Sequence, residues 1–310
     1  LLIRRYALKR QIFSMPNNRS LHIVPIPVGG GLAIVFTWYI GITVLFLSNK
    51  IESSLYFALI SGVLLTIVGL IDDLIGLKAP VRLLFHFITA IIAFVFLKGL
   101  RSFVIPGIEM NYMFLTYPVI IVGMVWFINL YNFMDGVDGF ASLETIIVCL
   151  VIFFMSGNII SIVLIVCVLG FLYWNWPKAK IFMGDAGSTQ LGFILVVLGI
   201  YFHNTYQFSI LNWIMILSPF WFDATLTLYR RWRNKENLFA AHRKHAYQRI
   251  VQAGFSHKKV NLFLVVINAI LILMILLYRE VKVLQIPLFI VTLCFFYVIT
   301  RLIDKRVPFK

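Results

Sequence analysis

The sequence predicts an all-α polytopic membrane protein of about ten transmembrane helices, eleven if a span precedes residue 1. It reads as a single integral-membrane domain over residues 1–310. Three observations predict this. Hydrophobic residues fill 61% of the chain and the mean hydropathy is +0.95, too apolar for one soluble domain. Apolar runs close to the ~20 residues that cross a bilayer recur along the chain. When those runs are threaded alternately from a cytoplasmic N-terminal segment, 22 of the 27 lysines and arginines fall on the cytoplasmic side.

Residues 1–28 are polar and basic, broken by Pro16, Pro25 and Pro27, and Gly29-Gly30-Gly31 opens the first apolar run, which ends near Leu47. Further runs cover about 55–71, 82–97, 117–131, 143–156, 159–174, 188–202, 209–229, 260–278 and 284–302. The pair 143–156 and 159–174 is short, with only Gly157 and Asn158 between its members. The chain opens on Leu1 and a segment that is already basic, which leaves open the alternative of an eleventh span ahead of it. Only Lys50, Lys98, Arg101, Arg279 and Lys282 fall on the outer side. The formal net charge of +15 is thus first a topology signal, and second an attraction for anionic partners. No soluble domain presents a basic surface, which argues against nucleic acid. Cys149, Cys167 and Cys294 all lie in apolar runs and read as small core residues, with no disulfide framework and no metal spacing.

The same threading gathers Asp72, Asp73, Asp135, Asp138 and Asp185 at cytoplasmic helix ends, although only basic residues set it. In NLYNFMDGVDGF, residues 129–140, Asn129, Asn132, Asp135 and Asp138 recur every three positions and so share one side of a helix turn. Acids at the mouth of a span suit a cation or a phosphate; the plainer alternative is a polar loop. In GLIDDLIGL, residues 69–77, adjacent Asp72 and Asp73 point about 100° apart and so suit different tasks, one binding a cation and the other taking a proton; a helix end meeting water is the alternative. WNWPKAKIFMGDAGSTQLGF, residues 174–193, sets Asp185 beside Gly184, Gly187 and Ser188 at the start of an apolar helix. That arrangement suits a carboxylate, Mg²⁺ and a phosphate at a helix N-terminus, or simply a helix cap. Phe182 is placed to stack on a base and Asn175 to hydrogen-bond one.

The loop after residue 230 holds His242, Arg243, Lys244, His245 and Arg249, a cationic group suited to a diphosphate or phospholipid head, or an ordinary positive-inside loop. Zinc is not expected there. PIPVGGG, residues 25–31, reads as a phosphate-facing turn or a stiff loop. Asp223 is expected to pair with Arg230 or Arg231, and His86 and His203 to act as packing or interfacial histidines.

In this order, DD at 72–73, NxxNxxDGxDG at 129–139, the looser NxPxAxIFMGDxGS at 175–188 and the histidine loop resemble the polyprenyl-phosphate N-acetylhexosamine-1-phosphate transferases of glycosyltransferase family 4. That family includes the phospho-MurNAc-pentapeptide transferase of peptidoglycan synthesis. The resemblance runs from about residue 14 to 250. It implies transfer of an amino-sugar 1-phosphate from a UDP-amino sugar to undecaprenyl phosphate, releasing UMP, with Mg²⁺ or alternatively Mn²⁺. The implied setting is the cytoplasmic face of the bacterial inner membrane, and a homodimer is the candidate assembly. Asp72 would be the base, or would keep the lipid phosphate oriented and ionised. Asp185 would hold the metal, with Asp73 and Asp135 supporting metal or nucleotide and Asp138 in the same catalytic group. Asn132, Asn175 and Phe182 would hold the uridine, with Asn129, Gly184, Gly187 and Ser188 lining the substrate. His242, Arg243 and His245 would grip the diphosphate or read the sugar.

HRKH is similar to the O-antigen-initiating branch, DDLIGL lacks the lysine of the peptidoglycan branch, and Val28 stands where a basic residue is common. The favoured expectation is therefore an initiator of O-antigen or capsule using UDP-GlcNAc, UDP-FucNAc or UDP-QuiNAc, ahead of the peptidoglycan enzyme. A cation-coupled secondary transporter is the rival of another class. Its site would sit near the bilayer midplane in broken helices, whereas these acids lie at one surface.

Overall fold

A computed structural model describes residues 1–16, 24–100, 103–105, 108–110, 113–238, 240 and 242–309. Of the residues that set the topology, Arg19, Arg101 and Lys310 lie outside these, as does the side chain of Lys282. A short basic helix, α1 (Leu2–Lys9), leads to a two-stranded antiparallel ladder of β1 (Phe13–Ser14) with β2 (Ile26–Pro27). Each apolar run is then helical: α2 (Gly31–Leu47), α3 (Ser53–Ile60), α4 (Val63–Ile75) and α5 (Ala79–Phe96). After the ladder of β3 (Phe103–Ile105) and β4 (Ile108–Met110) come α6 (Met113–Phe133), α7 (Phe140–Ser156), α8 (Ile159–Asn175) and α9 (Asp185–Asn204). The rest is α10 (Ile210–Ile216), α11 (Ser218–Arg233), α12 (Ala246–Gln252), α13 (His257–Glu280) and α14 (Gln285–Arg306).

Among the described residues, six helical stretches are long and apolar enough to cross a membrane, α3 and α4 counting together as the 23-residue stretch Ser53–Ile75. The pair α10–α11, bent by 72°, makes a seventh. Helices α2, α7 and α8 are apolar but have 17 residues each. The protein is therefore an all-α, multi-pass membrane protein.

Helix α9 is the axis. Of its apolar window 94% is buried, against 17–39% for the other long helices, and it packs on α6, α4 and α2. Apolar helices gain little from burial against one another in lipid, so close backbone approach has to hold them. Gly31 of α2 and Gly187 of α9 provide it: a Cβ on either would collide with the backbone of the other. At one end of the bundle Asn204 Nδ2 donates to the carbonyls of Leu97 (3.2 Å) and Gly99 (2.8 Å), tying α9 to the end of α5. The opposite end carries the acidic motifs.

Candidate active site

The site is built on the N-terminus of α9. Gly69 lets α4 press against Ala186, and Asp73, one turn later on the same face, caps α9. Asp73 Oδ1 accepts from the amide of Asp185 (2.9 Å) and Oδ2 from that of Ala186 (3.3 Å). Gly184 supplies the turn: its φ is +80°, and a Cβ there would sit 2.6 Å from Asp73 Oδ2. The amides of Gly187 and Ser188 both donate to the carbonyl of Gly184 at 3.1 Å. The expected phosphate cradle at this helix N-terminus is therefore corrected, because its amides are already engaged. Gly187 belongs to the α2 contact, not to the substrate lining.

Asp185 joins three elements. Its Oδ1 accepts from Asn132 Nδ2 of α6 (3.0 Å), which also donates to Ser188 Oγ (2.8 Å). Its Oδ2 lies 3.1 Å from Arg82 Nη1 of α5, and the same Arg82 nitrogen pairs with Asp72. Three helices thus converge on one carboxylate.

Two cavities meet there, sharing Asn132, Asp185 and Gln248. The first, of about 410 Å³, is walled by Asp73, Asp135, Asp138, Asn175, Phe182 and Ser188, with Phe13, Val28 and Gly184 at its side. Burial pushes the Asp135 carboxyl well above the ordinary carboxylate range, and the carboxylates of Asp185, Asp138 and Asp73 push it the same way. The second, of about 310 Å³, takes Arg82, His86, Asn129, His242 and His245, with apolar walls from Val68, Leu83, Phe133, Leu228 and Leu238. Among the described lining residues of either cavity, Arg82 is the one Arg or Lys.

The histidine loop is hung on Arg231, which is 2% exposed, pairs with Glu236 and donates to the carbonyls of Asn237, Leu238 and Ala240. Asp223 was expected to pair with Arg230 or Arg231 and does not. It accepts from the amides of Ala246 (2.8 Å) and Tyr247 (3.2 Å) and lies 3.8 Å from His245 Nδ1, holding the start of α12. Arg230 pairs with Asp304 instead. Two uncapped helix-start amides outbid a charge pair, since a buried amide without a partner is costly. His242 is pushed down to about 3 by burial, then by His245 and Arg231, and is neutral at pH 7.

Most predicted residues come together at the cavities, and some have structural tasks. Asn175 lines the first cavity, and its Oδ1 accepts from Gly139 N–H (2.8 Å) while its Nδ2 donates to the Ile181 carbonyl (2.9 Å), so its amide also locks two loops. Arg243 is exposed and lines neither cavity. The glycine turn is a strut: Gly30 and Gly31 donate to the carbonyls of Phe182 (2.9 Å) and Met183 (2.8 Å). His203 accepts from the amide of Ile210 (3.2 Å). Arg82, His86 and Gln248 are lining residues that the sequence reading missed. Arg82 had a signal, a cation in the first turn of an apolar helix ten positions after Asp72, which was read as topology alone.

Residues 55–203 match the family model described as Glycosyl transferase family 4. The chain is 32% identical over 287 residues to a probable undecaprenyl-phosphate N-acetylglucosaminyl 1-phosphate transferase of Bacillus subtilis, covering 87% of this chain and 78% of that one. It is 27% identical to the decaprenyl-phosphate N-acetylglucosaminephosphotransferase of Mycobacterium tuberculosis H37Rv, covering 84% and 74%. It is 26% identical to the undecaprenyl-phosphate α-N-acetylglucosaminyl 1-phosphate transferase of Escherichia coli K12, covering 86% and 77%. The chain therefore belongs to glycosyl transferase family 4, among the polyprenyl-phosphate hexosamine phosphotransferases, and is a multi-pass membrane transferase.

Proposed function

We propose that the protein transfers N-acetylglucosamine 1-phosphate from UDP-GlcNAc to undecaprenyl phosphate at the cytoplasmic face of the bacterial inner membrane. A lipid phosphate oxygen attacks the sugar-bearing phosphorus, the bond to the bridging oxygen breaks, and UMP leaves. The product would initiate O-antigen or another surface polysaccharide. One observation carries this reading: an acid-lined polar cavity and a cavity with a cation and apolar walls open onto the same carboxylate, Asp185. The names of the relatives favour UDP-GlcNAc over UDP-FucNAc or UDP-QuiNAc.

The nucleotide sugar would occupy the first cavity, with Phe182 at the base and Asp138 at the sugar hydroxyls. The lipid phosphate would enter the second and take Arg82 as its counter-charge, with Asp72 keeping that guanidinium aimed. An apolar groove of about 320 Å³ supports the second assignment. It lies between α6, α9, α10 and α11 and includes Trp126, Leu130, Trp221 and Thr225. Phe133 and Leu228 of the second cavity stand on the next turns of α6 and α11, so a prenyl chain could follow these helices to the phosphate site.

No three histidines, cysteines or carboxylates converge as a closed metal cage among the described residues. The donor set is nevertheless hard oxygen, from Asp185 with Asp73 behind it, and Mg²⁺ needs only one or two protein carboxylates when phosphate supplies the rest. The residues fit Mg²⁺ and do not fit zinc. When bound, Mg²⁺ would neutralise charge on the diphosphate and the departing UMP. The chain itself positions: Asn132 orients Asp185, Asp73 fixes the α9 start, and Gln248 lines both cavities at their junction.

Purified protein with UDP-GlcNAc, undecaprenyl phosphate and Mg²⁺ should release UMP, and EDTA should stop it. No release from any donor in an amino-sugar panel, together with solute uptake in vesicles, would reverse the proposal in favour of a transporter.

A further inference from the structure

The first turn of α13 meets the acidic loop at Asp138, outside every motif used above. His257 Nδ1 lies 3.1 Å from Asp138 Oδ2 and 3.3 Å from its backbone nitrogen. One turn on, Asn261 Nδ2 donates to the Asp138 carbonyl at 2.9 Å. From the other side, the amide of Ala179 donates to Oδ2 at 3.1 Å. The backbone nitrogen, the carbonyl and one carboxylate oxygen of Asp138 are thus all held, on a residue that lines the first cavity.

The two His257 contacts ask for opposite proton positions. An Nδ1–H donates to Oδ2, and a bare Nδ1 accepts from the amide. The ring therefore stays tied to Asp138 in either tautomer. Its base is rigid, because α13 packs along α7 and Asn268 Nδ2 donates to Glu144 Oε2 at 2.6 Å, eleven residues beyond His257 on the same face.

We propose that His257 is a positioning residue for the transferase: it sets the Asp138 carboxylate so that Oδ1 accepts a hydrogen bond from a hydroxyl or N–H of the nucleotide sugar. This rests on the transferase reading above. A hydrogen-bonded ring at the edge of a reaction cavity matters because small displacements of a contacting group weaken a reaction steeply.

The test compares His257→Ala, His257→Asn and His257→Gln in steady-state assays with UDP-GlcNAc and undecaprenyl phosphate. Asparagine puts its amide where Nδ1 sits; glutamine puts it where Nε2 sits. Alanine should lower kcat/KM for the nucleotide sugar about tenfold and leave the KM for the lipid unchanged. Asparagine should restore most of the loss, and glutamine should not. In an Asp138→Ala background, His257→Ala should have no further effect. Full activity in His257→Ala, equal activity in the Asn and Gln variants, or additivity with Asp138→Ala each overturns the inference. Should the alanine variant fail to fold, the Asn and Gln pair decides. Full activity of Asp138→Ala overturns the inference and leaves the transferase reading standing, whereas a parent protein that releases no UMP overturns both.

Discussion

The two cavities that meet at Asp185 are built from different materials. The first is walled mostly by non-helical segments, the β1 residues Phe13 and Ser14, Val28, the 135–138 loop and residues 182–184, closed by helix-end side chains such as Asp73 and Asn132. The second is walled by helices, through Val68, Leu83, Asn129 and Leu228, with the histidine loop across its mouth. Loops offer many polar groups at irregular angles, which suits a solute rich in hydroxyls. Helices offer apolar stripes continuous with the membrane-facing surface, which suits a lipid. The charges differ in the same sense. Asp73, Asp135, Asp138 and Asp185 line the first, with no lysine or arginine among the described residues there, while Arg82 stands in the second. A diphosphate beside the carboxylates of the first cavity would be repelled unless a divalent cation intervened; a phosphate beside Arg82 would meet a counter-charge. The proposed metal would thus answer the charge of one cavity, and the proposed acceptor phosphate the cation of the other.

The largest effects are expected where the comparison vanishes, at the shared carboxylate and its partner. Asp185→Asn and Asp72→Asn should each lose nearly all turnover, of order a thousandfold or more, while the protein still inserts and unfolds cooperatively. They should differ in one respect. Asp185→Asn should also raise the Mg²⁺ concentration needed by any residual activity, and Asp72→Asn should not. Retained activity in either variant would refute that residue's role, and equal Mg²⁺ behaviour would erase the distinction between the cavities.

A smaller and more selective pair sharpens it. Phe182→Ala should raise the KM for UDP-GlcNAc about tenfold, the usual cost of losing an aromatic platform under a base, and leave the KM for undecaprenyl phosphate unchanged. Arg82→Ala should do the reverse. If both variants raise both constants alike, the cavities do not hold different substrates.

How far the sequence shows this depends on what each residue type must do. The acids were legible because a carboxylate at a membrane helix end needs a reason, but the i, i+3 spacing of 129–138 was over-read as one helix face: α6 ends at Phe133, so Asn129 and Asn132 are helical while Asp135 and Asp138 lie in the loop before α7. The order of apolar runs was legible too, since each is helical in place, although 55–71 divides into α3 and α4 and 209–229 into the bent pair α10–α11. Asp223 was misread because its partners are backbone amides of Ala246 and Tyr247, and an amide has no sequence signature. The structural task of Asn175 was hidden for the same reason, its amide joining the Gly139 amide to the Ile181 carbonyl. Arg82 was hidden by its own plausibility, because a cation beside a membrane span already has a topological explanation. Gly187 reads from sequence as a phosphate-facing residue and Gly69 carries no signal, yet the task of both is to let helices touch, and that depends on which helices become neighbours.

The smallest effect concerns the sign of pH dependence, which also separates the cavities. His242, at the second, is pushed down to about 3 by burial and by its neighbours, while the unfolded chain takes up a proton near the ordinary histidine value. Between about pH 6.5 and that lower value the unfolded state binds the extra proton, so His242 lowers stability as pH falls through this window and has no effect above it. Asp135, at the first, has the opposite sign. Its carboxyl is raised, the folded state keeps a proton that the unfolded state releases, and stability falls as pH rises above the ordinary carboxylate value. The two slopes oppose each other in the parent, so single variants must separate them. Between pH 7.5 and 5, His242→Gln should lose less of its melting temperature than the parent, by roughly 2–4 °C. Asp135→Asn should lose more, because its compensating slope is gone. Parallel melting curves for all three proteins across that range would mean that neither cavity holds its titrating group as the geometry describes.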